Sequence, residues 1–268
     1  MTTEAFAPAK INLTLHVTGQ RADGYHLLDS LVVFADVGDR LRFDPAGDLR
    51  LTVDGPFADG VPADNRNLVW KAAELAGWTG HIHLTKNLPH GGGIGGGSSD
   101  AAAVLRVLNY GADALSLGAD VPVCLQPRAA RMQGIGGDVT PLHDDLTFFA
   151  VLVNPALHVP TPAVFKTLKE KENPAMAAFP AEGVALSAWM DWLKAQRNDL
   201  EAPAIAAAPQ IADVLTALRG TPDVMLARMS GSGSTCFGLY PTAQTARAAA
   251  AALAAEYPQW WCVETVLS

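Results

Sequence analysis

The chain has 268 residues, and 27 acidic side chains against 19 basic ones leave a net charge of −8 at pH 7. With 49% hydrophobic and 17% charged residues, there is ample apolar material for a packed core, which excludes disorder over the whole chain. The negative balance argues against a protein that mainly grips a nucleic-acid backbone, a task that needs many Lys and Arg. Anionic small molecules stay open, because backbone N–H groups and one or two placed cations suffice to hold them.

The length suits one large domain or two small ones. Cys124, Cys236 and Cys262 are far apart and form no C-x-x-C pair, so buried thiols are expected, with neither a disulfide framework nor a zinc site. Met1 to Val17 carry no basic n-region followed by an unbroken apolar stretch. The most monotonous segment, Ala248–Ala255, is far short of the ~20 residues that cross a bilayer. A cytoplasmic protein is expected.

In chain order, Ile11, Leu13, Leu15 and Val17 alternate with Asn12, Thr14 and His16, which predicts a half-buried strand with Lys10 and Asn12 on its polar face. Shorter alternations at Leu41/Phe43 and Leu49/Leu51/Val53 predict more strands, broken by turn signals. A helical pattern runs from Asn65 to Ala76, with Gly77 after its end, and Ile82 and Leu84 mark a strand. The segment Pro89-His-Gly-Gly-Gly-Ile-Gly-Gly-Gly-Ser-Ser-Asp100 then leads into a predicted helix over Ala101–Asn109. Downstream, strands are predicted at Phe148–Val153, Met225–Met229, Cys236–Tyr240 and Trp260–Leu267. Helices are predicted at Pro162–Glu172, Ala185–Lys194, Ile205–Leu218 and Thr242–Glu256. Consecutive β segments at the start, then strands mixed with helices, favour α+β over a doubly wound sheet.

The glycine-rich segment carries the chemistry. Six glycines within Gly91–Gly97 let the backbone approach a ligand and take positive φ. Ser98, Ser99 and Asp100 are read as an N-cap, beyond which the first helical N–H groups are unsatisfied and suited to phosphate. A flexible linker has no need to end in a capped apolar helix. Gly97 is followed by Ser98 and not by Lys, so the Walker type fails. Gly91-x-Gly93-x-x-Gly96 has the form of the dinucleotide fingerprint, with Asp120 about 20 residues on. That Asp precedes its apolar run instead of following one, and a long stretch of chain precedes the motif, so the match is weak.

Three segments in order carry a likeness to a known family. They are Ala7-Pro-Ala-Lys-Ile-Asn-Leu13 with Arg21-Ala-Asp-Gly-Tyr-His26, then Leu88–Ser99, then Met229-Ser-Gly-Ser-Gly-Ser-Thr235. Smaller matches are Leu117-Gly-Ala-Asp-Val-Pro122, Val159-Pro-Thr-Pro-Ala-Val-Phe165 and Asn198-Asp-Leu-Glu201. Over nearly its whole length the chain resembles the GHMP small-molecule kinases. The Pro-Ala-Lys-Ile-Asn and Asp-Gly-Tyr-His pair resembles the branch whose substrate carries a cytidine diphosphate.

The resemblance implies a two-domain α+β GHMP kinase fold, residues 1–147 and 148–268, with the active site in the inter-domain cleft. It implies ATP-dependent phosphorylation of the tertiary hydroxyl of a cytidine-diphosphate-linked methylerythritol, a step of the non-mevalonate isoprenoid route. Asp120 would accept the hydroxyl proton, and Lys10 would hold Asp120 ionised and orient the hydroxyl. Gly91, Gly92, Gly93, Ile94, Gly95, Gly96, Gly97, Ser98 and Ser99 would wrap the ATP phosphates, with Ser98 or Ser99 near a magnesium ion (Mg2+). Asn67 and Lys86 resemble adenine-side positions. Tyr25 and Phe165 resemble an aromatic pair that sandwiches cytosine, His26 would bond the base, and Asn12 and Thr161 complete the substrate set. The Gly231–Thr235 loop would close over the site. The partner is a small molecule, with neither nucleic acid nor membrane, and the chain is a monomer or homodimer.

Two departures stand out. Between Asn109 and Leu117 the chain is shorter than the resemblance leads one to expect, so a helix there is shortened or absent. Asp100 stands where a neutral Asn is frequent, and a carboxylate there would repel phosphate unless it faces magnesium or solvent. Trp189 and Trp192 have no functional reading and are expected in core or interface. Two rival readings remain: a GHMP kinase for another small alcohol, and a non-catalytic nucleotide-binding relative.

Overall fold

The computed structural model describes residues 2–45, 47–143 and 146–268. The chain opens with β1 (Thr3–Asn12), β2 (His16–Gln20), the long β3 (His26–Asp44), β4 (Arg50–Asp54), α1 (Leu68–Leu75) and β5 (His81–Thr85). After the glycine loop come α2 (Gly96–Val107), a 3-10 turn at Leu115–Leu117, the four-residue α3 (Val121–Cys124), β6 (Ala130–Gly134) and β7 (Asp138–Pro141). The remainder is β8 (Phe148–Asn154), α4 (Thr161–Thr167), α5 (Leu186–Ala195), α6 (Glu201–Ala207), α7 (Gln210–Arg219), β9 (Leu226–Met229), β10 (Cys236–Tyr240), α8 (Ala243–Glu256) and β11 (Trp261–Leu267).

These elements form two compact units, interleaved along the chain. The first comprises Met1–Lys10, Asp36–His90 and Gly95–Pro127, and the second Ile11–Ala35, Gly91–Ile94 and Arg128–Ser268. In the first unit the second half of β3 pairs antiparallel with β5, in the register Arg40↔Thr85 to Asp44↔His81, and β5 pairs parallel with β4. Helix α1 packs on α2. Helix α2 is buried all round from Ser99 to Leu105, and the small side chains of Ala101, Ala102 and Ala103 shorten the distance between axes at a helix contact. Asn67 starts α1 by accepting a hydrogen bond from Val69 N at 2.9 Å.

In the second unit β8 lies between β11 and β10, both antiparallel to it, and β9 pairs with the far side of β10. The first half of β3 pairs antiparallel with β2 and β6, and β6 with β7. A core of Val151, Val153, Ile211, Val214, Leu215, Leu218, Met229 and Leu253 fills the space between these strands and the helices α6 to α8. Helix α8 starts on a capping box made by Thr242 and Thr245. The antiparallel ladders with helices apart from them make this an α+β fold.

Three expectations need correction. The single strand predicted through Ile11–Val17 is interrupted, β1 ending at Asn12 and β2 starting at His16, and no face is left open, since Lys10, Asn12, Thr14 and His16 are as inaccessible as Ile11 and Leu13. Alternation reports which residues are polar, and here the polar face is covered by other protein groups. The single helix predicted over Ile205–Leu218 is two, α6 and α7, broken at Ala208-Pro209, where the proline ring cannot continue the ladder. Helix α4 ends at Thr167, five residues before Glu172. Between Asn109 and Leu117 the 3-10 turn is the one regular element. Trp189 is buried, and its ring lies 5.7 Å from those of both Trp192 and Phe179.

Candidate active site

Strand β1 delivers Lys10, and its ammonium meets Asp120 at 3.0 Å. The lysine side chain is only 4% exposed, whereas Asp120 is 35% exposed, so the carboxylate keeps a solvent-facing side. Asp120 stands at the N-cap position of α3, yet its side chain makes no cap hydrogen bond and turns to Lys10 instead. The helix behind it is anchored by Arg106, whose guanidinium donates to Cys124 O at 2.6 Å and to Phe6 O at 2.7 Å. One buried-stem arginine on α2 therefore ties the strand that carries Lys10 to the helix that Asp120 precedes. Burial pushes the adjacent Cys124 thiol up to about 12, so it is an inert neighbour of the pair.

The Lys10 stem lies against Gly95, where an added Cβ would stand 3.1 Å from Lys10 Cβ and Cε. Gly95 holds φ +62° and is the N-cap of α2, with no side-chain cap bond. This corrects the reading of Ser98, Ser99 and Asp100 as the cap: they lie inside the helix. The first helical bond runs from Ser99 N to Gly95 O at 2.8 Å, so the N–H groups of Gly96, Gly97 and Ser98 have no partner within the helix. Ser98 is partly exposed, and its Oγ would be 3.9 Å from a Cβ on Gly118, two residues before Asp120. Ser99 is buried, and its hydroxyl has no hydrogen-bond partner among the described residues.

In the second unit, residues 91–94 rest backbone to backbone on the loop 230–235. Thr235 N donates to Gly92 O at 3.0 Å, and Ser230 Oγ donates to Gly93 O at 3.1 Å. A Cβ on Gly93, where φ is +73°, would lie 2.6 Å from Ser230 O. Asn12 is fully buried there, its N–H donating to Ser230 Oγ at 3.1 Å and its amide to Ser30 Oγ at 2.8 Å. Asn198 fixes the same loop by donating to Met229 O at 2.8 Å and Gly231 O at 2.9 Å, while Glu201 accepts from Met229 N at 3.0 Å. The Asn198-Asp-Leu-Glu201 match thus has a concrete task. Thr161 shares a 2.8 Å hydrogen bond with Ser232.

Phe165 stacks on His26 with ring centroids 4.7 Å apart, while Tyr25 stands 60% exposed. The ring that the structure brings to Phe165 is therefore the histidine. Burial, then the Lys171 charge, lowers the His26 pKa, which favours the neutral ring. Its Nε2 is buried without a hydrogen-bond partner among the described residues.

Asn67 and Lys86 are both engaged within the protein. The Asn67 amide donates to Pro62 O at 2.7 Å while its oxygen caps α1. Lys86 is buried between Asp39 and Asp100, with Asp100 Oδ2 at 2.7 Å. Asp100 is thus turned to Lys86 and away from solvent. Sequence reasoning missed Asp39, because nothing in Val37-Gly-Asp39 signals that it will meet a lysine 47 residues away. Burial works against the Lys86 charge, but Asp100 and Asp39 outweigh it and raise its pKa. Burial, against the Lys86 charge and together with Asp39, pushes the Asp100 carboxyl up to about 8.

The folded chain therefore holds the Asp100 proton more tightly than the unfolded chain. The stability this contributes is complete below the ordinary carboxylate range and is lost as pH rises toward about 8. Asp100→Asn needs no proton, so its Tm should gain on that of the native chain between about pH 5 and about pH 8. Calorimetry across that range checks this, and parallel Tm curves would contradict it.

Two family profiles match the chain: "GHMP kinases N terminal domain" over residues 67–146 and "GHMP kinases C terminal" over 181–259. The crystal structure of a mevalonate kinase from L. major has a TM-score of 0.64 at 13% identity over 100% of this chain and 96% of that one, a likeness of fold alone. Fold and profiles together define the class as a GHMP kinase. The chain is 57% identical to 4-diphosphocytidyl-2-C-methyl-D-erythritol kinase of Dinoroseobacter shibae, over 98% of this chain and 94% of the relative. Identity to the kinase of the same name from Cereibacter sphaeroides is 54%, over 97% of each. The crystal structure of 4-(cytidine 5'-diphospho)-2C-methyl-D-erythritol kinase has a TM-score of 0.77 at 34% identity, over 99% of each chain. Within the GHMP kinases, the chain belongs to the 4-diphosphocytidyl-2-C-methyl-D-erythritol kinase family.

Proposed function

We propose that the chain transfers the γ-phosphoryl group of ATP to the 2-hydroxyl of 4-diphosphocytidyl-2-C-methyl-D-erythritol, within isoprenoid precursor synthesis. The observation that carries this is the Lys10–Asp120 pair at 3.0 Å, its lysine stem against the last glycine before α2. The substrate oxygen attacks phosphorus, the bond from the γ-phosphorus to the bridging oxygen breaks, ADP departs, and the hydroxyl proton passes to Asp120. Transfer of this kind asks for positioning and charge neutralisation more than covalent chemistry. Asp120 needs only to be in place as a late acceptor, and Lys10, 3.0 Å away, holds it turned toward the hydroxyl.

The free N–H groups of Gly96, Gly97 and Ser98 receive the phosphates at the positive end of the α2 dipole. Among the described residues no three His, Cys, Asp or Glu side chains are grouped to hold a metal ion. Asp39 and Asp100, under the start of α2, pair with Lys86. The accessible Ser98 hydroxyl would be a side-chain oxygen for a magnesium ion carried by the nucleotide phosphates, which would supply neutralisation of charge on the transferring group. Cytosine recognition is assigned to Tyr25, His26 and Phe165, the unpartnered His26 Nε2 meeting the base edge and the Phe165 ring offering a stacking face. No helix among the described residues is long and apolar enough to cross a membrane.

The direct test is ADP release from ATP and magnesium by the purified chain, with and without 4-diphosphocytidyl-2-C-methyl-D-erythritol. Release should depend on that alcohol and be inhibited competitively by CDP. Equal release with an alcohol lacking the cytidine, or no effect of CDP, would transfer the assignment to a different acceptor.

A further inference from the structure

Fourteen positions separate Lys86 from Asp100, and the glycine-rich segment lies between them. At its entry, the backbone of Lys86 is fixed twice: its N–H donates to Asp54 O at 2.7 Å, and its carbonyl accepts from Phe57 N at 3.1 Å. Asp39 on β3 then accepts through Oδ1 from Asn87 N at 2.6 Å and Leu88 N at 2.9 Å, while its Oδ2 takes the Lys86 ammonium. At the exit, Asp100 on α2 accepts from the same ammonium at 2.7 Å. The cluster sits directly under the start of α2, because a Cβ on Gly96 would be 3.5 Å from Lys86 Nζ and 3.7 Å from Asp39 Oδ2.

We propose that Asp100 is a positioning residue for nucleotide binding: through Lys86 it ties the first turns of α2 to the strand segment that enters the glycine loop. This holds the N–H groups of Gly96, Gly97 and Ser98 where the phosphates arrive, and it rests on the reading of that loop as the ATP site. A loop fixed at both ends has less freedom to lose on binding, which favours affinity without adding a contact. Asp100 touches no reacting atom, so its loss acts on ATP binding and leaves the chemical step alone. Burial beside Asp39 favours its protonated form, and an amide of the same shape reproduces that uncharged form and still accepts from Lys86. Alanine offers no acceptor, yet Lys86 keeps Asp39, so no buried charge is stranded and the fold should survive.

The full chain would be compared with D100A and D100N by ADP release at saturating alcohol and varied ATP, and by hydrogen exchange of residues 95–103 without ligand. In D100A the KM for ATP should rise about tenfold or more with kcat within about threefold, and D100N should stay within about threefold of the native KM. Exchange at residues 95–103 should quicken in D100A alone. An unchanged KM for ATP in D100A, equal damage in both variants, or loss of kcat at constant KM would overturn the proposal. A native chain with no turnover speaks against the proposed function instead, and exchange then decides: identical rates in D100A and the native chain overturn the positioning role. Asp100→Ser replaces D100A if that variant does not accumulate folded.

Discussion

Asp120→Asn should lower kcat for alcohol-dependent ADP release by about 10³-fold while both KM values stay within about threefold. The amide is isosteric and can still accept from Lys10, which lies 3.0 Å away, so the site should keep its shape. It cannot take the hydroxyl proton, and it removes a negative charge that orients the nucleophile. The side chain caps no helix, so thermal stability should change little. A kcat near the native value would show that another group, or water, accepts the proton. A kcat loss joined to a large rise in KM would assign Asp120 to alcohol binding instead.

Gly93→Ala should lower thermal stability and abolish measurable ATP binding together. At φ +73° an alanine costs about 1–2 kcal/mol from backbone sterics alone. Its Cβ would also lie 2.6 Å from Ser230 O and 2.7 Å from both Gly233 N and Gly233 O, all backbone atoms that no rotamer change can move aside. Overpacking of this kind adds about 1–3 kcal/mol. The sum of about 2–5 kcal/mol corresponds to a fall in Tm on the order of 10 °C for a chain of this size. Gly97→Ala is the control for stability, since its nearest contact would be Leu68 Cδ1 at an ordinary 3.7 Å and its backbone is helical. A Tm for Gly93→Ala equal to that of Gly97→Ala would mean that the two glycine loops do not brace each other as the structure shows.

That bracing explains why part of the site was readable early and part was not. The six glycines and the helix after them carry the reading of a phosphate loop, because positive φ and unsatisfied helical N–H groups are local properties of the chain. Gly91, Gly93 and Gly95 do take the positive φ expected of them. What Gly93 presses against was not local: Ser230 and Gly233 lie far along the sequence, and only the folded second unit brings them to it. Likewise, Phe165 and His26 were both noted as candidates, but their stacking at 4.7 Å depends on where α4 and the start of β3 come to rest.

The sequence by itself determined the class of fold and placed the glycine run between a strand and a helix, since periodicity, turn residues and glycine runs act over a few residues; most of β3 and all of β6 and β7 were not legible there, because they are set by pairing with distant strands. Only the tertiary structure decided which polar groups are used up inside the protein. Lys86 carries no mark distinguishing a nucleotide contact from a buried ion-pair partner, and Asp100 reads as a helix cap until Lys86 and Asp39 surround it. Burial and charge pairing are sums over neighbours contributed by separate segments, here β3, the end of β5 and α2. The same sum leaves Lys10 almost inaccessible and Asp120 open on one side, a difference in environment that sequence spacing does not encode.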